Sequence, residues 1–125
     1  MSVLAPASQN DRALVVSKAV LRAAEALGIR ARRLAAIIGT SEPTLSRLKA
    51  GTVLLDPESK SYELAVLLIR VFRSLDAIAG GDAEVVRRWL DNDNLALGGR
   101  PADRLMTVTG LIDVLAYLDA RRALV

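Results

Sequence analysis

The stretch from Arg30 to Gly51, Arg-Ala-Arg-Arg-Leu-Ala-Ala-Ile-Ile-Gly-Thr-Ser-Glu-Pro-Thr-Leu-Ser-Arg-Leu-Lys-Ala-Gly, constrains the fold more than any other part of the chain, because it reads as two short helical patterns meeting at Gly39. Ala35 precedes that glycine by one helical turn, where a small side chain lets two helices approach closely, and Leu45 and Leu48 fall on one face of the second pattern. Ser41 has the chemistry of an N-cap, Pro43 suits a first turn that leaves its N–H unpaired anyway, and Gly51 is a stop. The segment is a helix-turn-helix pattern.

With Leu45 and Leu48 turned inward, Ser41, Glu42, Thr44, Ser46, Arg47 and Lys49 are left outside or at the flank, where such side chains can reach phosphates and base edges in a major groove. Arg32 and Arg33 add positive charge. From 30 to 49 the basic residues are Arg30, Arg32, Arg33, Arg47 and Lys49 against the single acid Glu42, while the rest of the chain is close to balance. Local basicity of this kind suits phosphate neutralisation. The expected DNA-binding residues are therefore Arg32, Arg33, Ser41, Glu42, Thr44, Ser46, Arg47 and Lys49; the plainer alternative is a helical hairpin with a solvated charged face.

A chain of 125 residues can bury a sizeable core, and 52% of it is hydrophobic although only 3% is aromatic. Alanine and leucine must supply the packing, and both favour helices, so the expected fold class is all-α. Cysteine and histidine are both absent. That removes disulfides, thiolate and imidazole catalysis and the usual zinc sites, and makes a reducing cytoplasm the simplest location. No cofactor and no metal are expected. Met1 to Asn10 lacks the charged-then-apolar order of a signal peptide and reads as a loose tail.

Along the chain, Asp11 to Leu27 has helical spacing and ends at Gly28. After Gly51, Thr52 to Leu55 is an extended connector or a brief strand, and Asp56-Pro57-Glu58 has the residues of a helix start. The helix that follows carries Tyr62, Leu64, Leu67, Leu68, Val71, Phe72, Leu75 and Ile78 before Gly80-Gly81. Its Leu64 to Ile69 stretch is apolar all round, which requires cover from several directions: a central core helix, or one that also supplies a dimer seam. Arg70, Arg73 and Asp76 make a membrane span too short.

From Asp82 the chain is less generic. Asp82 caps a helix with Val85, Val86, Trp89 and Leu90; a loop, Asp91-Asn-Asp-Asn-Leu-Ala-Leu-Gly-Gly-Arg100, follows; Pro101 opens a turn through Leu105. A last amphipathic helix spans about Val108 to Arg122, with Leu111, Leu115 and Leu118 in line and Ile112 beside them. Gly110 either permits a close backbone approach or simply breaks the chain ahead of that helix. The expected division is a tail over 1–10, a DNA-binding region over 11–55, a linking and dimerisation helix over 56–80, and a helical domain over 81–125.

Trp89-Leu90, Asn94, Leu97-Gly98-Gly99-Arg100-Pro101, Leu105 and Gly110 together resemble the C-terminal domain of the Xre/ParS/MbcA-type antitoxins. The resemblance covers about residues 12 to 122 and includes the order of parts, a helix-turn-helix ahead of a linking helix and a small helical domain. It implies a type II toxin–antitoxin system whose partner is usually a RES-domain toxin acting on NAD, or a related ADP-ribosylating enzyme. The antitoxin would cover the toxin's active-site cleft and repress the shared promoter, as a homodimer within a larger complex. The toxin-binding residues it implies are Trp89, Asn94, Leu97, Gly99, Arg100, Pro101, Arg121, Arg122, Leu124 and Val125. Two positions depart from the family pattern: Arg121-Arg122-Ala123-Leu124-Val125 replaces a terminal glycine with apolar followers, and Val86 replaces an alanine ahead of the Trp-Leu pair.

The remaining chemistry favours a binder over an enzyme. Asp91-Asn92-Asp93-Asn94 begins like a calcium loop, but Leu95 cannot ligate, Ala96 stands where the glycine is needed, and no bidentate glutamate follows, so it reads as a capping loop. The glycine pairs at 80 and 98 lack the Gly-Lys-Ser/Thr ending of a phosphate loop. Nothing places Asp103 and Asp113 as an acid–base pair. Trp89 is either a core anchor or a partner hot spot, and Arg100 either reaches a partner or caps a neighbouring helix. A stand-alone Xre-like regulator without a toxin is the competing reading.

Overall fold

The computed structural model describes residues 8–124, and among them there are helices and no strands. The helices are α1 (Gln9–Leu27), α2 (Ala31–Ile38), α3 (Glu42–Ala50), α4 (Lys60–Ile78), α5 (Ala83–Asp91), α6 (Pro101–Arg104) and α7 (Val108–Arg122), with a 3-10 turn at Leu95–Leu97. The all-α expectation holds, and the bounds of α7 are those its periodicity indicates.

Two helix starts differ from the sequence reading, each for a capping reason. The hydroxyl of Ser8 accepts the Asp11 N–H at 3.1 Å, so α1 begins at Gln9 and takes in Gln9 and Asn10, which had read as tail. Residues 1–7 lie outside the described part. Asp56 does not cap α4. Its carboxylate accepts the Glu58 N–H at 2.9 Å and its carbonyl accepts the Ser59 N–H, a tight turn that hands the cap to Ser59, whose hydroxyl accepts from Tyr62. Asp and Ser can each serve either role, and the geometry of Pro57 puts the turn first.

The C-terminal stops are as the sequence indicates. Gly28, Gly39 and Gly51 close α1, α2 and α3 at φ of 73°, 71° and 77°, the left-handed conformation that glycine adopts without a Cβ penalty. Asp82 caps α5 through the N–H groups of Glu84 and Val85. The connector after Gly51 is irregular, and it is tied down where Leu55, itself buried, donates its N–H to the buried Ser17 hydroxyl at 2.9 Å.

Helix α4 is the centre of the molecule, packed chiefly between α1 and α7, with α2 on a further side. Ala65, Leu68, Ile69, Val71 and Leu75 are buried, while Leu64, Leu67 and Phe72 are half-buried against the same core. The chain's own helices thus bury one side of the Leu64 to Ile69 stretch and leave Leu64, Val66 and Leu67 half-buried. The α4–α7 contact carries a polar anchor, the buried Ser74 hydroxyl donating to Asp119 at 2.7 Å beside an Arg70–Asp119 ion pair of 3.4 Å.

Gly110 lies in the first turn of α7, after the cap that Thr107 supplies by accepting the Gly110 N–H. A Cβ at this position would overlap the carbonyl oxygen of Arg104, so the glycine serves the close approach of α6 to α7 and is no break.

Candidate DNA- and partner-binding surfaces

The turn between α2 and α3 is held by Gly39 and by a cap in which the Ser41 hydroxyl accepts the Thr44 N–H at 3.1 Å and donates to the Thr44 hydroxyl at 2.9 Å. Ala35, Leu45 and Leu48 are all buried, and α2 packs on α3. The fixed inner face leaves Glu42, Ser46, Arg47 and Lys49 exposed and Thr44 at the flank. No side chain caps α2, and its start carries the exposed Arg30 and Arg32. The result is a short, rigid helix presenting hydroxyl and basic groups beside a basic edge, the geometry a major groove accepts.

Arg33 departs from the expected set. It donates to the Asp103 carboxylate at 3.0 Å and to the Ala102 carbonyl at 3.4 Å, so it spans from α2 to α6. Asp103 also receives Arg100 at 3.0 Å, and the hydrogen bonds from Arg100 and then Arg33 hold its carboxyl below its usual range. The same pairing raises the Arg100 guanidinium above its ordinary value. A second clamp works from the other side: Arg87 of α5 donates to the carbonyls of Glu25 at 3.0 Å and Ala26 at 3.4 Å, satisfying the last turn of α1. Two arginines thereby fasten the C-terminal helices to the helix-turn-helix. Sequence separation hid both clamps.

In the C-terminal part, the loop after α5 closes on itself. Asn94 and Gly99 exchange both backbone hydrogen bonds, at 3.0 and 3.2 Å, and the Asn94 side chain accepts the Leu97 N–H. This puts Leu97 and Pro101 into the core, leaves Gly99 half-buried, and leaves Leu95 fully exposed at the tip. Leu97 and Pro101 thus differ from the expectation of contact residues, and Asn94 acts as the loop's internal cap. An isolated leucine in a polar loop gives no periodic signal, so nothing local in the sequence marks Leu95 as exposed.

Trp89 is half-buried and stacks on Tyr117 with ring centroids 6.1 Å apart and planes 24° apart. Arg121 lies over the other partner, its guanidinium carbon 5.6 Å from the Tyr117 centroid and an N–H donating to the Tyr117 hydroxyl at 3.3 Å. Trp89 therefore packs against the core on one side and is open on the other. Arg122 and Leu124 are exposed, as are Val108 and Ile112 on the outer face of α7. Val125 lies outside the described residues.

These features define a helix-turn-helix DNA-binding protein with a small helical domain clamped to it. Residues 6–70 match the antitoxin Xre-like helix-turn-helix domain, and residues 74–123 match the antitoxin Xre/MbcA/ParS C-terminal toxin-binding domain. The chain belongs to the Xre/MbcA/ParS antitoxin family and is an antitoxin of a toxin–antitoxin system, with a DNA-binding and a toxin-binding part. A search of the curated proteins finds no match to it. No helix among the described residues is long and apolar enough to cross a membrane.

Proposed function

We propose that this antitoxin acts in the cytoplasm, neutralising a separately encoded RES-type, NAD-consuming toxin by covering its active-site cleft and, as a homodimer, repressing its own operon through α3. The observation that carries the reading is the arrangement of two unlike exposed surfaces on one clamped body. Helix α3 presents Ser46, Arg47 and Lys49, while the C-terminal part carries the exposed Leu95, Ile112 and Leu124, the half-open Trp89 and the exposed arginines 100, 121 and 122. Exposed apolar residues rimmed by arginine are what a protein partner takes up, whereas a hydroxyl-rich basic helix suits DNA. Exposed Leu14 and Val15 on α1 offer apolar surface for a second copy.

Co-expression with the product of the adjacent reading frame tests the reading. The expected result is growth rescue, a complex that survives affinity purification, and preserved NAD in the cells. Rescue by a chain ending at Gly81 would overturn the assignment of neutralisation to the C-terminal helices, and a protein that purifies alone and still represses would be a stand-alone regulator.

A further inference from the structure

A groove of about 480 Å³ opens between the C-terminal half of α1, the start of α2 and the end of α3. Leu21 and Leu34 are among its apolar lining, and Arg22, Arg30 and Lys49 bring three cations to it against one acid, Glu25. Seven of the fourteen arginines are engaged: Arg33, Arg70, Arg88, Arg100 and Arg104 in ion pairs, Arg87 on carbonyls and Arg121 on an aromatic ring. Arg22, Arg30 and Lys49 form no ion pair among the described residues.

We infer that this groove seats backbone phosphate of the DNA strand bordering the major groove that α3 enters, a contact made by Arg22, Arg30 and Lys49 together. The inference rests on the DNA-binding reading of α3. Cations gathered in a concave site repel one another, and an anion relieves that repulsion; apolar lining reduces the competing water and strengthens the attraction beyond that of a flat surface. Lys49 fixes the occupant. It belongs to α3 and also lines the groove, so the site is continuous with the flank of the reading helix. Contacts of this type set register on the duplex and carry no base information.

The test measures binding of the full chain to a duplex from upstream of its own gene and to a scrambled duplex, over a series of salt concentrations. Replacing both Arg22→Gln and Arg30→Gln should weaken both duplexes by a similar factor, about tenfold or more near 0.1 M salt, and should reduce the slope of log affinity against log salt by about 1 per phosphate released. Arg22→Lys with Arg30→Lys should retain the slope, and Glu25→Gln should raise the affinity. Arg22 and Arg30 are exposed, and an unchanged melting curve verifies the fold. If the wild-type chain binds neither duplex, with or without its toxin, the DNA reading of α3 fails. If it binds and the double glutamine variant keeps both affinity and slope, or loses only the upstream duplex, the phosphate groove is overturned and α3 stands.

Discussion

Arg33 of α2 donates to Oδ1 of Asp103 at 3.0 Å across 70 residues of sequence, and Arg100 holds Oδ2 of the same carboxylate at 3.0 Å. One carboxylate thus joins an arginine beside the DNA-reading helix to the loop arginine of the toxin-binding part. Asp103→Asn should release both. Because the groups are nearly half exposed and screened by solvent, the loss of stability should be small, visible as a slight fall in the melting temperature. Arg33, once free, adds a charge next to α3, so DNA affinity should rise and its salt dependence steepen. Unchanged binding would show that Arg33 lies out of reach of the duplex.

The same tie sets a pH dependence. Hydrogen bonds from Arg100 and Arg33 hold the folded-state carboxyl below the value of about 3.9 that it has when unfolded. A lowered folded value stabilises the native chain above the unfolded one, so the contribution is complete at neutral pH and disappears as the pH falls through the folded value. The difference in denaturant midpoint between wild type and Asp103→Asn should therefore be flat from pH 5 to 8 and should close only in acid, as the pH falls below the unfolded value of about 3.9 and through the lower folded one. A gap that persists in acid would place the stabilisation elsewhere.

What the sequence discloses follows the range of the forces involved. Helix α7 and the α2–α3 hairpin are legible because periodicity, caps and glycine stops act within a few residues. Helix α4 starts late because Asp56 and Ser59 compete for the same cap. The reading face of α3 is legible too, since Leu45 and Leu48 fix it locally. Arg33, Arg87 and Tyr117 are different: their partners Asp103, Glu25 and Trp89 are distant in sequence, and no local pattern names them. Leu97 and Pro101 are buried, and the closed ring between Asn94 and Gly99 turns them inward while exposing Leu95.

Gly110→Ala should be severe. Its backbone is helical, so the cost comes from the added Cβ meeting the Arg104 carbonyl, and α6 or α7 must shift to admit it. Overpacking of this type costs about 1–3 kcal/mol or more. Gly51→Ala provides the contrast: nothing lies within 4 Å of its added Cβ, and only the φ of 77° is unfavourable, for roughly 1–2 kcal/mol. Thermal melts of the pair separate collision from backbone strain. A milder effect at Gly110 than at Gly51 would contradict the close α6–α7 approach.

Ser17→Ala removes the acceptor of the Leu55 N–H in a buried setting. An orphaned donor there should cost about 1–3 kcal/mol, and the connector between α3 and α4 should exchange its amide hydrogens faster. Protection of the Leu55 amide is the direct measurement. Retained protection in Ser17→Ala would show that a water replaces the hydroxyl.

The two ends should separate in function. Arg47 is exposed on α3 and makes no ion pair among the described residues, so Arg47→Ala should leave the unfolding free energy within about 0.5 kcal/mol of wild type. If it reads a guanine, operator binding should weaken by about 1–3 kcal/mol, while the toxin is still neutralised. Arg122→Ala with Leu124→Ser alters exposed residues at the far end of α7 and leaves in place Arg121, which braces the Trp89–Tyr117 stack. That variant should keep DNA binding and lose protection. Growth and promoter activity, scored in cells carrying the neighbouring toxin gene, give both readouts at once. Loss of protection by Arg47→Ala in a folded protein would mean that the toxin contacts α3, and the two surfaces would then be one.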